Sequence, residues 1–156
     1  MELDAFDRRL LEAVQEDSRR TGEELAELVG LSPAACQRRL QRLRASGAIQ
    51  REVAILDPKL AGTGLTLVVL VTLERERPDQ IDQFVRAMRA EAAVSQCYYV
   101  TGAVDFVLVV KVADMREYED VTRRHLFASY VRRFETMAVM GQIKFTTSMA
   151  LAGPER

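Results

Sequence analysis

No stretch of this 156-residue chain approaches the ~18 consecutive apolar residues that a membrane-spanning helix needs. The first ten residues, MELDAFDRRL, are charged from the second position onward, so a secretory leader is not expected and the expected location is cytoplasmic. Cysteine is scarce. Cys36 and Cys97 lie far apart with no Cys-x-x-Cys spacing, which signals neither a disulfide framework nor a zinc site. Histidine occurs once, at His125, and the sequence contains no Ser/His/Asp set, no paired-carboxylate motif and no phosphate-cradling glycine loop. No residue is therefore nominated for catalysis or metal binding, no cofactor is expected, and the chain reads as a non-enzyme.

What is present is ordinary for a folded soluble chain, with 48% hydrophobic and 29% charged residues. The length suffices for two small domains. A net charge of −1 is uninformative, but its distribution is not. Residues 1–27 carry nine acids against four arginines, whereas residues 28–51 hold Arg38, Arg39, Arg42, Arg44 and Arg51 and no acid. Such a local cationic stripe suits phosphate contacts, because only the contacting face has to release counterions; a solvated helix face is the plainer alternative.

Residues 4–17 space Phe6, Leu10, Ala13 and Val14 as one helical face, with Asp4 as the amino-terminal cap. A second short helix is predicted over 22–29 with Leu25, Ala26 and Val29 inward. Gly30 ends it by supplying a positive φ. Ser32 caps a third helix with Pro33 at its first position, and Gly47 follows its end at Ser46. Two helices joined by a turn of about three residues form the helix-turn-helix pattern. Ala26 has to be small where the helices cross, and Cys36 falls at a buried position, which makes it a packing residue.

The third helix divides at 100° per residue. Cys36, Leu40 and Leu43 form the inward line; Ala34, Arg38, Gln41, Arg42 and Ala45 lie opposite, flanked by Ala35 and Gln37. Early residues of a recognition helix reach base edges and later ones reach phosphates. Ser32, Ala34, Ala35, Gln37 and Arg38 are accordingly the base or near-base candidates, with Arg42 and Arg44 on phosphate. Gln37 suits adenine and Arg38 guanine. Arg39 sits at the edge of the apolar face, its stem packed and its head either on a first-helix carboxylate or on phosphate. Beyond Gly47, AIQREVAIL (48–56) alternates like a short strand, with Ile49 inward, and Asp57-Pro58 marks a boundary.

From Leu65 the rhythm changes. LTLVVLVTLE (65–74) reads as a strand and DQIDQFVRAM (79–88) as a helix. AVSQCYYVTG (93–102) and DFVLVVKV (105–112) read as strands around a tight turn. A helix bearing Met115, Tyr118, Val121 and Leu126 follows, then a long strand over 132–145. The order is that of a ferredoxin-like βαββαβ domain. In that arrangement the helices cover one sheet face and the other is ordinarily polar. Here Val68 and Leu70 make the second face apolar too, so a second copy of the same face, in a two-fold dimer, is the expected cover. The fold class is thus α+β: a winged-helix-like helix-turn-helix domain over 1–50, a strand and linker over 51–64, and a ferredoxin-like domain over 65–156.

Three separated stretches, GLSPAACQRRLQRLRASGAI (30–49), LDPKLAGTGL (56–65) and VTGAVDFVLVV (100–110), resemble the Lrp/AsnC (leucine-responsive/asparagine-responsive, "feast-famine") transcriptional regulators, in order and over nearly the whole chain. The resemblance implies a DNA-binding helix-turn-helix followed by a RAM domain. It also implies a homodimer assembling to a tetramer or octamer, with double-stranded DNA and an amino acid or related small molecule as partners and no membrane. Carried over, the family's glycine-to-aspartate turn matches Gly102 and Asp105 as an effector-site rim, with Tyr98, Val100 and Thr101 beside it and Thr136 lining the neighbouring side. A glycine permits close backbone approach and an acid holds an ammonium, although Gly and Asp are also ordinary turn chemistry. Two departures bear on the effector: Val104 stands where the family commonly has an aromatic, and the ending TTSMALAGPER lacks Leu-Pro.

Two other functions share this architecture. Some haem-pathway (sirohaem-type) decarboxylases resemble the same two-domain family, binding a tetrapyrrole through histidine and arginine; here His125 beside Arg123 and Arg124 reads as a packed or surface residue. An architectural DNA-compacting protein differs in specificity only.

Overall fold

Each of the first three helices begins on an oxygen-bearing cap, which is why it begins where it does. In α1 (Ala5–Glu16) the Asp4 carboxylate accepts the Asp7 amide at 2.8 Å while Asp7 accepts the Asp4 amide, a reciprocal capping box. Thr21 and Glu24 build a second box at α2 (Gly22–Val29). Ser32 Oγ accepts the Ala35 amide at 3.2 Å at the start of α3 (Pro33–Ala45), where Pro33 occupies the first turn. Between α2 and α3, Gly30 takes φ 78° and its amide donates to the Ala26 carbonyl, the left-handed close predicted for this glycine.

The computed structural model describes residues 2–57, 60, 62–74 and 77–151. Pro58 of the predicted boundary, Lys59 and Ala61 of the linker motif, and the final residues from Ala152 lie outside the described residues. The chain forms two units. One runs to Ile55 and takes in the chain from Lys144 onward; the other spans Leu56–Ile143.

The first unit closes around Leu10, Leu11, Ala13, Leu25, Val29, Cys36, Leu40 and Leu43, with Ile49 and Leu151 packed at the margin. Phe6, expected inside, is instead partly exposed: it lies beneath the guanidinium groups of Arg39 and Arg9, at 5.5 and 6.0 Å from its ring centre, and Leu11 fills the core place. Residues 48–56 do not form the predicted strand. A strand needs a ladder partner, none pairs with it among the described residues, and Val53, Ile55 and Leu56 are left exposed.

In the second unit a four-stranded antiparallel sheet has the order β2-β3-β1-β4, built from β1 (Leu65–Leu73), β2 (Val94–Tyr99), β3 (Phe106–Val112) and β4 (Val131–Ala138). The connections are α4 (Pro78–Ala90) and α5 (Met115–Val121), the latter widening into an i→i+5 turn over Thr122–Leu126. This is the ferredoxin-like βαββαβ arrangement. Leu67, Val69, Val71 and Leu73 of β1 and Phe106, Leu108, Val110 and Val112 of β3 bury one sheet face against Phe84 and Met88 of α4 and Tyr118 and Val121 of α5. β4 ends earlier than predicted, at Ala138, because it reaches the start of β1: Ala138 faces Leu67 and the Val139 amide takes the Thr66 carbonyl. The chain then continues without a ladder. The Gln15 side chain of the first unit meets Met149 in both directions, donating to its carbonyl and accepting its amide. Among the described residues, no helix is long and apolar enough to cross a membrane.

Candidate nucleic-acid interface and effector rim

Helix α3 separates its two faces as its period predicts. Cys36, Leu40 and Leu43 are buried, whereas Ser32, Ala34, Gln37, Arg38, Gln41, Arg42 and Arg44 are exposed and Ala35 is half-buried. Cys36, fully enclosed, is a packing residue. A shallow groove of about 340 Å³ runs along the outward side, lined by Leu31, Ala35, Arg38, Arg39 and Arg42. The small side chains at 34 and 35 leave the helix backbone open to close approach.

The arginines of this face are not equivalent. Arg39 Nη1 reaches Asp4 Oδ2 at 2.6 Å and Asp7 Oδ1 at 2.8 Å, the carboxylate alternative of the two open to it. Arg42 Nη2 donates to the other oxygen of Asp7. Arg44 pairs with Glu52 at 2.9 Å. Arg38 makes no ion pair among the described residues. Asp7 is 1% exposed, a buried carboxylate with a guanidinium on each oxygen. The Asp7 amide first, and then the Arg39 guanidinium, hold the Asp4 carboxyl below the usual carboxylate value; Asp4 and Asp7 in turn raise Arg39 above its own. Sequence reasoning named Asp4 as a cap and overlooked Asp7. The signal was the Asp-x-x-Asp spacing of the capping box, but burial of the second acid depends on how α3 crosses α1.

At one end of the second unit, Tyr98, Val100, Thr101, Gly102 and Asp105 gather around the β2–β3 turn. Gly102 has φ 130° and open space where a side chain would stand. Asp105 is turned inward: its Oδ2 accepts the Leu73 amide at 2.6 Å, its own amide donates to the Val71 carbonyl, and its carbonyl receives the Val100 amide. The carboxylate thereby satisfies the end of β1, where the register with β4 shifts between Thr72 and Leu73. Thr136 is not brought to this turn. It lies opposite Val69 on β4, the far edge of the sheet from β2, with its hydroxyl on the Tyr118 phenol.

The sheet face away from the helices presents Val68 and Leu70 of β1 beside Val109 and Val107 of β3, all half-buried, with Met137 and Glu135 on β4 alongside. His125 is also placed: its Nε2 lies 2.8 Å from Glu91, which Arg124 reaches as well. Burial pushes the Glu91 carboxyl up, but the Ala93 amide, His125 and Arg124 together outweigh that and leave it lowered.

Residues 3–44 match the AsnC-type helix-turn-helix domain and residues 66–149 the Lrp/AsnC ligand binding domain. The chain is 49% identical over 152 residues to an uncharacterized HTH-type transcriptional regulator, y4tD, of Sinorhizobium fredii, covering 97% of this chain and 90% of the relative. It is 34% identical to the leucine-responsive regulatory protein of Haemophilus influenzae, over 96% of this chain and 90% of that protein. A crystal structure of a Neisseria meningitidis transcriptional regulator in complex with L-Met superposes with a TM-score of 0.88 at 31% identity, covering 96% of this chain and 97% of that one. With a recognition helix of this form, a four-stranded sheet of this order and both family domains matched in sequence, the chain belongs to the Lrp/AsnC family of transcriptional regulators.

Proposed function

We propose that this regulator is a cytoplasmic protein that reads a specific operator as a two-fold dimer, and that an amino acid or related small molecule adjusts its operator affinity or its further assembly to a tetramer or octamer. The observation that carries this reading is the pairing of two surfaces in one chain. Helix α3 turns polar and small residues outward, and the sheet face of the second unit away from its own helices carries Val68, Leu70, Val107 and Val109, only half-buried among the described residues. An apolar face of this kind is self-complementary under two-fold symmetry, and a two-fold dimer carries two copies of α3 for two operator half-sites. Within α3, Ser32, Ala34, Ala35, Gln37 and Arg38 address base edges, and Arg44 addresses phosphate once released from the exposed Glu52 pair.

For the effector, support comes from the open Gly102 turn and from the relatives: one is named for leucine and another was crystallised with L-Met. Because Thr136 and the Gly102 turn lie at opposite edges of one sheet, a site using both draws them from two chains. The expected ligand is therefore one bound between subunits.

The test is a duplex selected from a randomised pool, compared with mixed-sequence DNA, and a thermal-shift screen of the amino acids on the same preparation. The expected specificity ratio is at least about 10³ at physiological salt. Equal affinity for both duplexes supports an architectural protein instead, and an amino-acid screen without a shift removes the effector assignment alone.

A further inference from the structure

The recognition helix carries more positive charge than it presents. Asp7, buried beneath α3, binds Arg39 on one oxygen and Arg42 on the other, and Asp4 holds Arg39 a second time. Arg42 is nevertheless half-exposed, so it stands on the outward face of α3 with its charge already answered. Arg38, one turn earlier on that face and lining the same groove, has no such partner among the described residues. A guanidinium bound to a buried carboxylate moves to a phosphate only by taking a charged partner from that carboxylate in a low-dielectric place, a costly exchange even though Arg39 stays on the other oxygen of Asp7. The helix thus has two kinds of arginine. Sequence-independent phosphate attraction grows with every free cation, whereas a base contact depends on one cation in the right place.

We propose that Asp7 is a positioning residue for DNA reading: it withholds Arg42, and with Asp4 also Arg39, from the phosphate backbone, so that Arg38 provides the discriminating contact and binding to unrelated DNA stays weak. This rests on α3 being the DNA-contacting helix, and it replaces the phosphate role that the angular position of Arg42 suggests. The same carboxylate fixes the tilt of α3 on α1, because its two oxygens meet residues almost one turn apart on the helix.

The experiment measures the salt dependence of binding by the full chain to a mixed-sequence duplex. Asp7→Asn frees Arg42, and the slope of log affinity against log salt should steepen by ~0.9, the value of one added phosphate contact. Binding to this duplex should tighten about tenfold near physiological salt, and the ratio between a pool-selected duplex and mixed DNA should fall. Adding Arg42→Gln to the Asp7→Asn chain should return the slope to that of the wild type. Arg42→Gln alone should leave the slope unchanged while Arg38→Gln lowers it, a comparison that holds even if Asp7→Asn fails to fold. Glu27→Gln, which removes an equal charge from exposed α2, controls for general electrostatics and should leave the slope unaltered. A merely structural Asp7 predicts a lower melting temperature with an unchanged slope, and that result overturns the proposal. So does an Arg42→Gln chain that loses as much slope as Arg38→Gln. A wild type with no salt-dependent binding at all overturns the reading of α3 itself.

Discussion

The two units satisfy their surfaces in opposite ways. In the first, the acids and bases of α1 and α3 answer one another: Asp7 is fully enclosed between two arginines, and a small apolar core closes beneath them. In the second, the core is larger, yet the sheet face away from the helices carries an apolar patch of Val68, Leu70, Val107 and Val109 that is only half-buried among the described residues. On α3 the first unit offers a polar surface to a polar ligand. The second leaves an apolar patch, and under the proposed function its cover is the same face of another copy. The lesson is that the same chain separates recognition from assembly by the chemistry of what each unit leaves uncovered.

The comparison breaks most readily at the open face. Leu70→Asp places a charge at its centre, opposite Val107. The variant should keep its helix content but sediment as a monomer, with operator affinity down by more than about 100-fold because single half-sites bind weakly. A core change in the closed unit should act differently. Leu43 is fully buried, and Leu43→Ala should lower the unfolding free energy by ~2–5 kcal/mol in denaturant titration while leaving the dimer of sheets assembled.

Much of this contrast was legible in the sequence, for identifiable reasons. Ser32-Pro33 and Gly47 bound α3, and a period of 3.6 assigns Cys36, Leu40 and Leu43 inward without tertiary information. The doubly apolar β1 reads directly from Val68 and Leu70 between Leu67, Val69 and Val71. What the sequence could not supply depends on who stands next to whom. Asp7 is an ordinary helix-start acid until Arg39 and Arg42 arrive from 32 and 35 positions away. Residues 48–56 alternate like a strand, but alternation does not provide a ladder partner. The family resemblance places Asp105 at an effector rim; that its carboxylate accepts the Leu73 amide, from an element it touches only in the folded sheet, is not readable from the turn.

That inward turn of Asp105 gives a prediction of intermediate size. Asp105→Ala removes a charge-assisted bond to a buried amide and should cost ~1.5–3 kcal/mol of stability, read by denaturant titration without ligand. If the amino-acid thermal shift also disappears while Leu43→Ala, at similar stability loss, retains it, Asp105 serves the effector as well. The smallest effect concerns pH. Glu91 has a lowered pKa in the folded chain, so its stabilisation is fully present above the ordinary glutamate range and is lost as pH falls through the lowered value. Acid titration of the melting temperature should show this loss as pH falls below the ordinary glutamate range, and Glu91→Gln should flatten it.

The central claim is that α3 reads DNA in pairs set by the sheet dimer. Hydroxyl-radical footprinting on a pool-selected duplex tests it most directly. Two protected patches on one side of the duplex, separated by about one helical turn of 10–10.5 base pairs or a multiple of it, are expected. Arg38→Ala should weaken both patches together, and Leu70→Asp should abolish the pair. A single patch, or uniform protection along the duplex with no dependence on Arg38, would contradict the account.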